Sequence, residues 1–289
     1  MTSNPFIALA ILSSLATLAA CGGDSGSDSP KLGAARPASD AVSRVAIVAA
    51  TTETFLTGSS APPTTTLDAR FYQSDAAVGI PLPNRSLTPG CTITTGADSM
   101  TASDPLDDVA SMSTFRTVSA GEALPLISTD GASRELVQDD DSDSEIRYLS
   151  PAQPGELAKG SYISVPGDAI TAIPDLHLPV VESINELRIN GAVDGRLGAD
   201  SLIEWQAPRV ADAVVRLTFH SQGDNTANAV HVDCAVADEG SFELPAEVRT
   251  LMTETRFPLS SLRLTRERYS VERLGELQIM MRARAIGSL

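Results

Sequence analysis

From about residue 44 onward, apolar positions recur in short runs cut by Gly, Pro, Asp and Ser. Within the runs the period is two, or the residues are β-branched, as expected of strands with a buried face. The spans that qualify are 44–56, 67–73, 91–95, 113–120, 134–138, 145–149, 161–166, 183–190, 201–206, 213–221, 229–237, 259–266 and 275–285. A helical period is nearly absent. The exception is 245–252, where Pro245 suits a helix start and Val248, Leu251 and Met252 share one face. The pattern predicts an all-β chain.

The best-defined hairpin lies in the C-terminal part. Val215, Leu217 and Phe219 alternate with Arg216, Thr218 and His220. Past Gly223-Asp224-Asn225, Val230, Val232, Cys234 and Val236 alternate with His231, Asp233 and Ala235. Each strand thus has one apolar and one polar face. Two registers keep the faces matched: Arg216 opposite Asp233, or His220 opposite His231. Further on, Leu277, Ile279, Met281 and Ala283 alternate with Gln278, Met280, Arg282 and Arg284, which predicts a closing strand.

Punctuation divides the chain. Residues 22–43 are mostly Gly, Ser, Asp, Pro and Ala; too little apolar surface is available there to offset ordering entropy, so a flexible tether is expected. Pro166-Gly167, Pro174 and Pro179 mark a boundary near 180. The expected body is therefore two antiparallel, immunoglobulin-like β-sandwich domains, 44–180 and 181–289, each of ordinary domain size.

Charge narrows the partners. The formal net charge is −16, so neither phosphate neutralisation on nucleic acid nor direct docking on anionic lipid is favoured. Aromatic residues are 4% of the chain and Trp205 is its one Trp, which weighs against a sugar-binding platform. Trp205 alternates with Ile203 and reads as core.

Ahead of the tether, Phe6 to Ala20 form an apolar stretch too short to span a bilayer, the h-region of a signal peptide over 1–20. It runs into Leu18-Ala19-Ala20-Cys21, which resembles a bacterial lipobox, although no Lys or Arg precedes it. The resemblance implies cleavage before Cys21 and acylation of its thiol. Two or three acyl chains hold a protein on a membrane where one does so only marginally. Gly22, rather than Asp, follows the cysteine, which implies delivery to the outer membrane in a Gram-negative host. Further motifs follow: Ser119-Ala120-Gly121, Gly160-Ser161-Tyr162, Val165-Pro166-Gly167, Ile203-Glu204-Trp205, Val232-Asp233-Cys234, Gly240-Ser241-Phe242 and Leu244-Pro245. With these the chain resembles a group of uncharacterised bacterial lipoproteins with two β-sandwich-like halves. That resemblance implies a fold and brings no catalytic residues with it.

Candidate chemistry is sparse. Gly23-Asp24-Ser25-Gly26 matches a serine-protease nucleophile loop in letters, but it lies in the tether with no His or Asp partner domain ahead of it. Gly-x-Ser-x-Gly, His-Glu-x-x-His and Cys-x-x-Cys do not occur. His177, His220 and His231 are the only histidines; the latter two, with Asp233, would offer zinc ligands in one of the two registers. The run Asp139, Asp141, Asp143, Glu145 alternates in the manner of a calcium loop, with Ser144 in place of the turn glycine and Ser150 in place of the closing Glu. Cys91 and Cys234 remain once Cys21 is acylated, either as a disulfide or as two packed thiols. The expectation is a lipid-anchored, non-enzymatic binding or structural protein of the cell envelope, without a cofactor unless calcium serves, whose partner is another envelope protein or a polymer. A calcium-stabilised adhesion module and a hydrolase with an unfamiliar site are the alternatives.

Overall fold

The computed structural model describes residues 41–56, 61–80, 89–95, 109, 112–131, 133–139, 145–166, 173–192, 197, 200–209, 213–221, 229–254, 259 and 261–289. Cys21, the tether residues 22–40, Asp141 and Asp143 lie outside the described residues, whereas residues 41–43, expected in the tether, open the first strand with Val42 fully buried.

The chain is all-β. Its centre is β1 (Ala41–Phe55), a strand that runs antiparallel to β2 (Thr64–Gly79) and parallel to the final strand β17 (Leu277–Ser288). Strands in parallel pairs are usually covered on both faces and read as nearly unbroken apolar runs. Here Ala46 and Val48 face one cluster, while Val45 and Ile47 face another. β17 is covered the same way: Leu277, Ile279 and Met281 enter the first cluster and Met280 the second. Its polar-face residues Gln278 and Arg282 are buried as well. The expected closing strand is therefore an interior one.

From β17 the sheet continues antiparallel through β16 (Ser261–Leu274) and β13 (Val214–Ser221) to β14 (Val230–Val236) and β3 (Gly90–Thr95). Leu274 stands opposite Leu277, so Gly275-Glu276 forms a two-residue turn, with Gly275 at φ +60° as such turns demand. On the other side, β2 carries three short strands in succession along its edge: β8 (Gln153–Pro154), β7 (Arg147–Leu149) and β4 (Arg116–Thr117). β7 leads through β6 (Ser133–Asp139), β5 (Ala123–Ile127) and β9 (Tyr162–Ile163) to β10 (Leu176–His177). A second sheet holds β11 (Leu187–Asn190), β12 (Leu202–Trp205) and β15 (Ser241–Glu243). Helix α1 (Ala246–Glu254) follows, over the span where the period of 3.6 predicts one.

Two large apolar clusters occupy the sequence on either side of residue 180. One runs from Ala46 to Leu178 and adds Leu277, Ile279 and Met281; the other runs from Ile184 to Leu264, with Cys91 and Ile93 packed against it. Two strands cross that line: β17 joins β1, and β3 joins β14. One sheet thus runs through both halves.

The crossing point carries a buried ion pair. Arg266 and Asp238 have side chains only 2% exposed, and the Arg266 Nε donates to Asp238 Oδ2 at 2.8 Å. Arg266 Nη2 donates to Asp238 Oδ1 at 3.1 Å and to the Gln206 carbonyl, and Nη1 to the Ser183 carbonyl at 3.4 Å. The Trp205 indole N–H donates to Asp238 Oδ1 at 2.8 Å. These bonds tie β16 to the 182–183 segment, which joins the halves, and to the end of β12. A buried charge is tolerated when it is paired and its remaining donors are satisfied, as here.

Candidate functional site

The acidic run is the first site the sequence nominates. Asp139 closes β6 opposite Arg147 of β7. The Glu145 carboxylate accepts the Tyr72 hydroxyl at 2.5 Å and an Arg70 N–H at 3.4 Å. Arg70 also donates to Asp68, at 2.8 Å through Nη2, and Arg147 donates to the same carboxylate at 2.5 Å. Burial opposes the charge on Arg70, but the hydrogen bond to Asp68 and the surrounding carboxylates outweigh it and raise its pKa. Burial and the bond to Glu145 push the Tyr72 phenol above its ordinary value. Glu145 is thus committed to a protein network on β2 and β7. Only Asp139 and Glu145 of the four nominated calcium ligands fall on described residues.

The C-terminal hairpin takes one of the two registers left open by the faces. His220 stands opposite His231, and Arg216 opposite Ala235. Even so, Arg216 reaches Asp233 along the diagonal, its Nε 3.2 Å from Oδ1 and its Nη2 on Oδ2. The His220 and His231 ring centroids are 6.5 Å apart. His231 titrates below the ordinary imidazole value, first because it is partly buried and then because His220 and Arg216 add positive charge, against the opposing pull of Asp233. The carboxylate that would complete a zinc site is held by Arg216. Among the described residues no group of three or more His, Cys, Asp or Glu could hold a metal ion.

Cys91 and Cys234 form a disulfide across directly opposed positions of β3 and β14, 143 residues apart in sequence. Cys234 is fully buried in the C-terminal cluster.

A groove of about 840 Å³ opens between the halves. The 178–182 segment, ending in Glu182, forms one wall and Arg268 to Ser270 of β16 another; Lys159 and His177 also line it. The His177 ring lies 5.2 Å from that of Tyr162 across β9 and β10, and the Glu182 carboxylate accepts the Arg209 backbone N–H at 3.1 Å. Lys159, His177 and Arg268 are exposed there. Clefts between two bodies are common ligand positions, and this lining of mixed charge suits a polar partner. The groove escaped the sequence because its sides come from distant segments. The buried ion pair beside it left a trace, for Arg266 follows Leu262 and Leu264 on the apolar face of its strand.

No protein-family model matches the chain, and no curated protein matches it. Among solved structures it is similar to the yeast delta-COP-I mu-homology domain, at 9% identity over 84% of this chain and 95% of that one, with a TM-score of 0.28. That likeness is too distant to carry an argument. Among the described residues no helix is long and apolar enough to cross a membrane.

Proposed function

We propose that the chain is an extracytoplasmic lipoprotein, acylated on Cys21 and held in the cell envelope, whose β-body is a non-enzymatic binding or structural module. The observation that carries this reading is the Cys91–Cys234 disulfide. Disulfides persist in oxidising compartments, so the pairing fits an exported body. It also leaves Cys21, beside its lipobox, as the cysteine free for lipid, since the chain has three. With Gly22 next to it, the acylated residue would be delivered to the outer membrane of a Gram-negative host.

The body is read as two immunoglobulin-like sandwich halves, 44–180 and 181–289, that share one sheet. The two large apolar clusters support that division. A protein or polymer of the envelope would meet the groove between the halves, where Lys159 and Arg268 stand out in an acidic chain. The test is expression of the full chain and of Cys21→Ala in a Gram-negative host. The expected outcome is a diacylglycerol-bearing N-terminal peptide by mass spectrometry, with the variant moving from membrane to soluble fractions. An unmodified Cys21, or a variant that fractionates as before, would sink the proposal.

A further inference from the structure

The His220–His231 pair is a feature that neither anchoring nor binding explains. The two residues are directly opposed at the tip of the β13–β14 hairpin, their neighbours across the sheet being Ser261 of β16 and Thr94 of β3. Both flanking residues are uncharged. The charged groups on the same face lie further along: Arg216 with Asp233, and Arg263 of β16, which is 3.9 Å from Glu53 of β1. Asp233, the nearest acid, is held by Arg216. Moreover, the His220 Nε2 is buried without a hydrogen-bond partner among the described residues. A proton added at that nitrogen would be placed where no described side chain accepts it, beside a second imidazole.

We infer that this pair is an acid-sensitive latch: neutral, it holds the β13–β14 tip closed, and protonated, it opens it. Like charges directly opposite one another on a sheet are destabilising, and burial adds to the cost of charging. The opening is confined by the Cys91–Cys234 bridge, three residues from His231 along β14, which keeps β3 and β14 joined whatever the tip does. The tip and the end of β3 thus loosen together while the body stays folded.

The depressed His231 titration sets the pH window. The unfolded chain takes up its proton near pH 6.5, before the folded chain does. Stability is therefore level above pH 6.5 and falls as the pH drops below it toward the folded value. Carboxylates titrate mostly lower, near pH 4, so the interval from 6.5 to 5 reports on histidine.

The test is backbone hydrogen exchange at the hairpin tip, corrected for intrinsic rates, at pH 7.5 and 5.2, together with melting temperatures. It compares the full chain, His220→Gln with His231→Gln, and His177→Gln as a control for the exposed third histidine. Tip protection is expected to fall at least tenfold on acidification in the full chain and the control, and less than twofold in the double variant. Melting temperature should drop by about 2–4 °C in the first two only. Parallel losses in all three would overturn the latch. If the double variant fails to fold, imidazole titration by NMR of the unsubstituted chain decides instead. Mutually displaced curves, with one histidine below 6.5, support the latch; two independent curves at or above 6.5 overturn it.

Discussion

Single side chains at positions of deep burial decide how firmly this body is held. Tyr148 is fully buried; its hydroxyl accepts the Ala120 N–H at 2.7 Å and donates to the Gly121 carbonyl at 2.7 Å, while its ring meets Phe71 edge-on at 5.9 Å. Tyr148→Phe keeps the ring and strands a buried N–H, which costs about 1–3 kcal/mol. A matching fall in the urea midpoint, with an unchanged slope, would check it. Asp238→Ala is harsher. It leaves Arg266 charged and unpaired, a loss of about 3–5 kcal/mol, and it should quench or shift Trp205 emission because the indole loses its acceptor. Little of this was legible in the sequence. Trp205 read correctly as core, since alternation with Ile203 is a local signal. The one acid that satisfies both Trp205 and Arg266, Asp238, comes from elsewhere in the chain, and no period links it to them.

Strands themselves were far easier to read, because alternation is local. The spans 91–95, 134–138, 201–206, 213–221 and 229–237 overlap β3, β6, β12, β13 and β14 to within a residue or two at each end. By contrast, 259–266 stops well short of the end of β16, whose last three residues, Glu272 to Leu274, are exposed and so carry no buried face to mark them. β5 escaped altogether because Pro125 interrupts it, and a proline argues against an interior strand. The structure meets that objection locally: the Pro125 carbonyl accepts the Ser164 N–H at 2.9 Å, but proline has no N–H to return, and the β9 ladder ends at Ile163. Two predictions belong at this scale. Gly287 lies where an added Cβ would come within 2.5 Å of Ile184 Cγ2, so Gly287→Ala should push β17 off the C-terminal cluster and destabilise by about 1–3 kcal/mol, read from thermal melts. Replacing Cys91 and Cys234 together by Ala should cost about 2–5 kcal/mol, because the bridge closes so long a loop. In that variant a reductant should no longer change the melt, whereas it should lower the melt of the unsubstituted chain.

At the scale of the whole molecule, two apolar clusters lie mostly on either side of residue 180, yet three β17 residues join the first cluster and one sheet runs through both. Sequence punctuation reports where the chain pauses, not which strands meet afterwards, and the β1–β17 pairing left no local mark. That pairing governs the order of events when the chain is made. Ser43 and Glu276, which hydrogen-bond beside the start of both strands, are 233 residues apart, and the first cluster takes Leu277, Ile279 and Met281 from the far end. Contacts that distant are slow to form, and those apolar edges stay exposed until they do. A chain threaded through a membrane N-terminus first would present β1 long before its partner arrives. Ending the chain at residue 276 should therefore yield an aggregating species on size-exclusion chromatography rather than a smaller folded one. For a chain that emerges N-terminus first the consequence is an interval during which β1 must be shielded by something other than its own last strand.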